Sequence, residues 1–600
     1  MKLLKKNKYK LLMCTQLVLM SLSMSVSAGQ ILVQDEQGES LDLVMVSQTP
    51  VSGYTVDRSD NGYPPEGKVN RSTSTVTQFT TNKGVASFDA ISQSSVRYRL
   101  RKPGFKDHTF EALTSDDFTI TLKQELDPIV LAASRPANTW LAELDLDEDL
   151  KKHYIMQCGF CHQQGSQYLR RDRSEQEWEE TIYRMVNYGA RLADDAQSVL
   201  PQLLHEQYGK LNKQPELISK GTPWDEYLSG SKITEWPIGD SFSQMHDLLH
   251  HSNGLVYVGD NLQDRMYEIN PKTGEYQVYK LPKESWDQHG GLLGARLKEF
   301  PKHETFAGIH SFAESSEDGH IFITASYQQR IIEFNPKTKE WINHHMDGGY
   351  YPHTLRVDGQ NRVWFTLALS NQVGVFDRQN KSFTLIDLPS RSFKESVTVN
   401  LMGVLLKLMS WGLPIANWAA VDRDSTGVPL PYGIDIAPDG GIWFARLHAD
   451  SIGRIDPETH EIKMYDTPFK GPRRLRIDAQ GGIWIAAFPE SQIVRFDQVS
   501  EKFESFDLPV KPLGSETPYS LNIDKKRNVV WVNGNTSDAL YSYEYDTKTW
   551  QHFPMPKRVT FTRDVEISED GVVYTTNSSF PSWHIEDAQP SLIILEPKGL

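Results

Sequence analysis

Five consecutive residues, Cys158-Gly159-Phe160-Cys161-His162, carry the densest chemistry in the chain. Two thiols one helical turn apart reach the two vinyl groups on one edge of a haem, and the next residue sets an imidazole under the iron. C-x-x-C-H is the spacing that c-type haem attachment requires. It predicts one covalent haem on Cys158 and Cys161, with His162 as an iron ligand. A thioredoxin-like couple is the other reading, but no βαβ pattern surrounds the pair. Half a zinc site is a third, but no second ligand pair follows. Met185 is the only methionine between Cys161 and Met245 and is the expected sixth ligand. His205 is the alternative ligand, and core packing is the other reading of Met185. Thioether ligation would raise the potential. A single motif implies a one-electron carrier.

A second set of residues comes from a repeat. The segments GIHSFAESSEDGHIFITASYQQRIIEFNPKTKEW, YPHTLRVDGQNRVWFTLALSNQVGVFDRQNKSF, PYGIDIAPDGGIWFARLHADSIGRIDPETHEI and PRRLRIDAQGGIWIAAFPESQIVRFDQVSEKF share one order. Each reads strand, D-G-type turn, aromatic strand, polar tip, strand, D-P-x-T-type turn, strand. Four strands in roughly 40 residues is a propeller blade. Further copies start near His246, Pro518 and Thr562, which makes seven. The last copy stops after its third strand, and an orphan fourth strand, residues 232–238, precedes the first; pairing the two closes the ring and removes a sheet edge.

The residue ahead of each innermost strand is His246, His310, His353, Tyr432, Arg473, Tyr519 and Arg563 in turn. Equivalent positions are predicted to face the central channel at one mouth. Three neutral imidazoles on consecutive blades suit a divalent or transition metal such as Cu, Fe or Zn. Two arginines and two tyrosines suit an anionic or oxygenated small-molecule substrate. A metal-free pocket, or histidines that only bond water and backbone, are the competing readings.

The elements that hold these residues follow from periodicity. Residues 29–125 alternate in short strands between turns and predict a β-sandwich. Residues 126–140 read as a linker. Apolar spacings of three and four predict helices over 144–157, 174–188 and 194–211, the second opened by a Ser174/Glu177 capping box. The expected fold class is therefore multidomain and mainly β: an N-terminal sandwich, a small all-α domain over 141–220 and a C-terminal seven-bladed propeller over 232–600. Two insertions, 283–306 with Trp286, His289 and His303, and 389–430, lengthen two blades. The apolar run 397–411 in the second reads as a lid, a dock for the helical domain or a peripheral membrane contact; Lys407 and Pro414 argue against a spanning helix.

Three resemblances accompany these patterns. The order of turns ending in Lys102-Pro103-Gly104-Phe105 resembles the carboxypeptidase regulatory-like family. C-x-x-C-H followed by a helix with Trp178 and Met185 resembles class I cytochromes c that are fused to or partnered with periplasmic dehydrogenases. The wording P-x-G-I, D-G-x-I-W-F, I-G-R-I-D-P, strongest over 431–457, resembles the virginiamycin B lyase (streptogramin lyase) propellers. That resemblance implies metal-dependent opening of a cyclic ester by elimination. Its repeats carry an acid after the W-F-T strand, where this chain has Leu367, Arg446, Ala487 and Gly534; Asp260 is the nearest acidic substitute. The lyase activity is therefore not carried over.

Residues 1–28 combine five lysines, an apolar run and Val26-Ser27-Ala28, which predicts a Sec signal peptide and a periplasmic protein. Cys14 lies inside the apolar run, where a lipobox does not place it. A formal net charge of −15 argues against nucleic-acid binding and suits a basic redox partner. Together these features predict a periplasmic oxidoreductase whose propeller binds a substrate and whose haem passes electrons to an external acceptor. The alternatives are a lyase with an accessory haem, and a non-enzymatic electron-transfer and docking protein.

Overall fold

The computed structural model describes residues 29–52, 67–89, 95–114, 116–294, 305–411, 413, 421–423, 427–579 and 582–598. The expected leader, His303 and Pro414 lie outside them.

Seven antiparallel sheets follow one another along the chain as blades, each built on the same four-strand order. Blade 1 runs from Met245 to Lys280, blade 2 from Ile309 to His345, blade 3 from Pro352 to Asp387, blade 4 from Pro431 to Asp466, blade 5 from Pro472 to Asp507 and blade 6 from Pro518 to Pro554. Blade 7 takes Glu566–Ile567, Val573–Thr576 and Ser591–Glu596, and its outer strand is Lys232–Pro237, in register from Ser591 opposite Pro237 to Glu596 opposite Lys232. The orphan strand closes the ring as its sequence predicts.

The repeat's composition explains the blade. The turn aspartate pins both ends of its hairpin: Asp358 accepts from the Gln360 and Arg362 N–H groups, and also from the Trp364 indole at 2.9 Å. Asp478 does the same for Gln480, Gly482 and Trp484. Those indoles, with Trp443 and Trp531, are fully buried, and each fills the space beside a neighbouring sheet.

The innermost strands share an irregularity. Pairing is lost between Met245 and Leu248, and at the same place in blades 2 to 6. Each break is a bulge that holds the ring residue and its successor, which re-aims side chains that a regular ladder would bury against the next strand. The freed backbone groups find hydroxyls: the Ser311 N–H donates to Thr324, whose hydroxyl donates to the His353 carbonyl at 2.8 Å.

The expected fold class needs correction: the small all-α domain is not shown. Helices α1 (Pro128–Ser134), α2 (Ala137–Ala142), α3 (Glu148–Cys158), α4 (Glu175–Asn187) and α5 (Asp194–Lys213) do form. Their apolar faces, including Trp140, Tyr154, Trp178, Leu204 and Tyr208, belong to one cluster with Phe488, Tyr519 and Phe561 of the propeller. They pack on one another and on the propeller mouth in one continuous cluster, so their core is not separate from the propeller. The stretch read as a linker is α1 and α2, with Asn138 donating to the Lys511 carbonyl and the Ser515 hydroxyl, both at 2.9 Å. The N-terminal strands do form two packed sheets around Val33, Val46, Tyr98 and Leu100. One of these sheets is continuous with blade 7, because Thr75–Phe79 pairs with the closing strand. The molecule is thus mainly β, with sandwich and helices built onto the ring.

Candidate functional site

A cavity of about 850 Å³ lies between the helices and the propeller mouth. Its lining includes Cys158, Cys161, His162 and Met185 on one wall, and His246, His310, His353, Tyr432 and Arg563 on the other. Residues far apart in the sequence, singled out for different chemistries, share one space.

The helical wall starts at α3. Asp147 caps it by accepting from the Leu150 N–H, and Glu148 and Asp149 suit its positive end. The helix ends on Cys158, so the motif leaves it as a turn. Propeller contacts fix that turn. Gln163 donates to the Asn535 carbonyl and the Asp538 carboxylate, both at 2.7 Å. Phe160 lies edge-on to Tyr432, and the Arg473 guanidinium sits against its ring face, 4.3 Å from the ring centre. The cysteines are not joined to each other. Burial, with Cys161 beside it, pushes the Cys158 thiol up to about 12. So little thiolate disfavours a thioredoxin-type couple.

The Ser174/Glu177 capping box forms at the start of α4, and Met185 reaches the cavity from that helix's last turns. His205 is not part of the lining; its Nδ1 sits 2.6 Å from the Arg173 carbonyl. The sequence reading missed His584 and His448, which also line the cavity. The His584 ring centre is 5.7 Å from that of His162, and it stacks on Tyr168 at 3.7 Å. Burial pushes both His584 and His448 down to about 3. His448 was findable, since it lies two residues past Arg446 at a blade tip that the repeat alignment already defined. His584 lies in irregular chain with no pattern to betray it.

On the propeller wall the ring divides. Arg473 and Tyr519 do not line the cavity. They lie beneath it, with the Arg473 guanidinium 3.5 Å from the centre of the Tyr519 ring and 4.4 Å from that of Phe488. Arg473 donates to the Tyr432 hydroxyl at 2.8 Å, Tyr432 and Tyr519 share a hydrogen bond of 2.9 Å, and Arg563 donates to Tyr519 at 2.6 Å. Burial alone would raise the Tyr519 phenol, but the two guanidiniums outweigh it and bring it below its ordinary value.

Below the ring, Arg474 donates to Asp247 at 2.5 Å and to Asp564 at 2.9 Å, which plugs the channel with a buried ion triad. Asp260 does not reach the cavity; its carboxylate accepts from the Gln244 and Leu262 N–H groups, and burial pushes it up to about 7.

The insertions close the roof. Helices α6 (Phe393–Asn400) and α7 (Met402–Ser410) turn Met402 and Leu406 inward onto Leu293 of the first insertion and Tyr327. Val404 and Trp411 face outward, exposed. Among the described residues no helix is long and apolar enough to cross a membrane.

No family model matches the chain, and no curated protein matches it. Among solved structures, a streptogramin B lyase is similar at 14% identity over 61% of this chain and 97% of that one, with a TM-score of 0.46. A virginiamycin B lyase from Staphylococcus aureus is similar at 14% identity over 61% and 99%, with a TM-score of 0.45. A structure described as YCF48 bound to D1 peptide is similar at 11% identity over 62% and 94%, with a TM-score of 0.40. Scores this low carry no argument about chemistry, and the propeller rests on its own strand pairing.

Proposed function

We propose that the chain is an exported c-type haem protein that oxidises a small molecule held between the haem and the propeller mouth. The observation that carries this reading is the shared cavity: the C-x-x-C-H motif and the ring of His246, His310, His353, Tyr432 and Arg563 line the same space.

The residues present fit the group. The donor set is two thiols, an imidazole and a thioether, which matches covalent haem with His/Met ligation. The volume falls within the ~300–1,000 Å³ of small-molecule and cofactor sites. Leu169, Trp178, Ile182, Leu192 and Leu204 supply an apolar lining, and Arg173, Arg184 and Arg191 stand on the same wall for two propionates. Cys158 and Cys161 would carry the attachment, with His162 and Met185 on the iron. When bound, the group supplies one-electron redox chemistry. The chain's own contribution is enclosure: α6 and α7 exclude water, Phe160 abuts the ring, and Arg563 and Tyr432 orient an oxygenated substrate. One haem stores one electron, so an external acceptor, suited by the acidic charge to be basic, takes each electron in turn.

The lyase alternative lacks its acids: the positions after the W-F-T strand hold Leu367, Arg446, Ala487 and Gly534, and Asp260 is not part of the cavity lining. A purely docking role leaves the polar mouth without a task.

The test is expression with a haem-maturation system, followed by haem staining after denaturing electrophoresis and redox titration. One covalent haem is expected, lost entirely in Cys158→Ala/Cys161→Ala. Met185→Ala is expected to lower the potential, and His205→Ala to leave it unchanged. Absence of covalent haem overturns the reading. So does a haem that no small reductant or oxidant titrates faster in wild type than in Arg563→Ala.

A further inference from the structure

His246, His310 and His353 occupy the bulges of blades 1, 2 and 3, with ring centres 3.7 Å and 3.9 Å apart along the series. All three are buried, yet all three line the cavity. Such crowding of imidazoles is costly unless each ring has a task, because every ring brings two nitrogens that need partners.

The partners are arranged unequally. His246 Nδ1 donates to the Asp247 carboxylate at 2.8 Å, and Arg474 holds that carboxylate from the other side. His353 Nδ1 pairs with the Thr354 hydroxyl at 2.9 Å. His310 Nδ1 is buried with no hydrogen-bond partner. Two rings thus have Nδ1 committed to an outer partner, which leaves Nε2 as the nitrogen free to bind. Metal-binding histidines show this same division. The ligand atoms of His246, Asp247 and His310 all lie within 4.8 Å of one another. Two ligands each ~2.1 Å from one ion stand at most ~4.2 Å apart; His353 lies outside that group, with its ring centre 3.9 Å from that of His310, and would complete the set by turning its Nε2 toward the other two.

We propose that His246, His310 and His353 bind one first-row transition-metal ion at the cavity floor, facing the cysteine motif, with Asp247 positioning His246. Three neutral nitrogens select copper, zinc or iron over magnesium or calcium, which prefer oxygen. Three protein ligands leave a position open toward the cavity, the arrangement of catalytic sites. The inference goes beyond the haem reading and does not depend on it.

The test uses the full chain, haem-loaded, stripped with a chelator, incubated with Cu²⁺ and passed through a desalting column. Retained copper is measured by mass spectrometry and by electron paramagnetic resonance, and haem is measured separately by its absorbance. One copper per chain is expected, with hyperfine splitting from coordinated nitrogen. Outer partners alone carry ~10–100-fold in metal affinity, so loss of a ligand in His310→Gln is expected to weaken binding by more than ~100-fold. The His246→Gln/His353→Gln variant is expected to retain none, and circular dichroism reports whether each variant is folded. Wild type that retains less than a tenth of an equivalent overturns the proposal. So does a folded His310→Gln that binds copper as wild type does. Copper without haem would defeat the proposed function and leave this inference standing.

Discussion

On the helical wall of the cavity, Cys158, Cys161 and His162 come from one turn of chain, whereas on the propeller wall His246, His310 and His353 come from three separate blades. The first group needs only the end of one helix. The second needs the bulged inner strands of three consecutive blades packed side by side before its members meet. The polar partners differ accordingly. The motif is held by apolar stacking and by single bonds such as that of Gln163 to Asp538. The ring rests on a fully buried charge network, Arg474 with Asp247 and Asp564. Substitutions in the motif should therefore change chemistry with little change in stability, and substitutions under the ring should change stability itself.

The largest expected effect tests that contrast. Asp247→Asn leaves Arg474 with one of its two carboxylates, and removing one partner of a buried pair costs ~3–5 kcal/mol. Urea unfolding should show an unfolding free energy lowered by that amount. Gln163→Ala, which removes the bonds beside the motif to Asp538 and to the Asn535 carbonyl, should cost less, ~1.5–3 kcal/mol. Equal losses for the two variants would break the comparison.

A smaller effect distinguishes the two faces of the roof. Leu406→Ala removes a buried side chain from the contact with Leu293 and Tyr327 and should cost ~2–3 kcal/mol locally. It should be read as faster amide exchange over 393–410. Val404→Ala, on the exposed face, should change exchange by less than ~0.5 kcal/mol. If both act alike, the roof is not anchored through Leu406.

Per residue, the smallest effect is a pH slope. His246 and His552 titrate near 4 and His448 near 3 in the folded chain, all pushed down chiefly by burial from an ordinary value of 6.5. Between about 4 and 6.5 the unfolded chain binds more protons, so stability falls as pH falls. Each histidine contributes up to ~1.4 kcal/mol per pH unit. Chemical denaturation at pH 7, 6 and 5 should show this, and His552→Gln, remote from the ring, should remove one histidine's share. A flat profile would mean that these three histidines are protonated or exposed in the folded chain.

Much of this was readable in advance. Seven blades and the closing strand follow from a repeat of strands and polar turns, with the turn aspartate six residues before the tryptophan in blades 3 and 5, since each blade solves the same local packing problem. The capping box at Ser174 and the helices near 148–158 and 194–213 follow from short-range periodicity. The independence of the helical domain did not follow. Its apolar faces look the same in sequence whether they close on one another or on Phe488, Tyr519 and Phe561. The ring was read as seven equivalent residues, but Arg473 and Tyr519 lie beneath Phe160 and Phe488. That burial depends on where the helices dock.

The sequence by itself determined the elements and the chemical types: a C-x-x-C-H turn, a seven-fold strand repeat, and one residue per blade at a fixed register. Those are set by interactions within about 40 residues of chain. Only the tertiary structure decided that the motif and the ring face each other, that His584 and His448 join them, and that His205 does not. Such choices rest on contacts between surfaces hundreds of residues apart, where apolar burial fixes the fit and no local pattern records the partner.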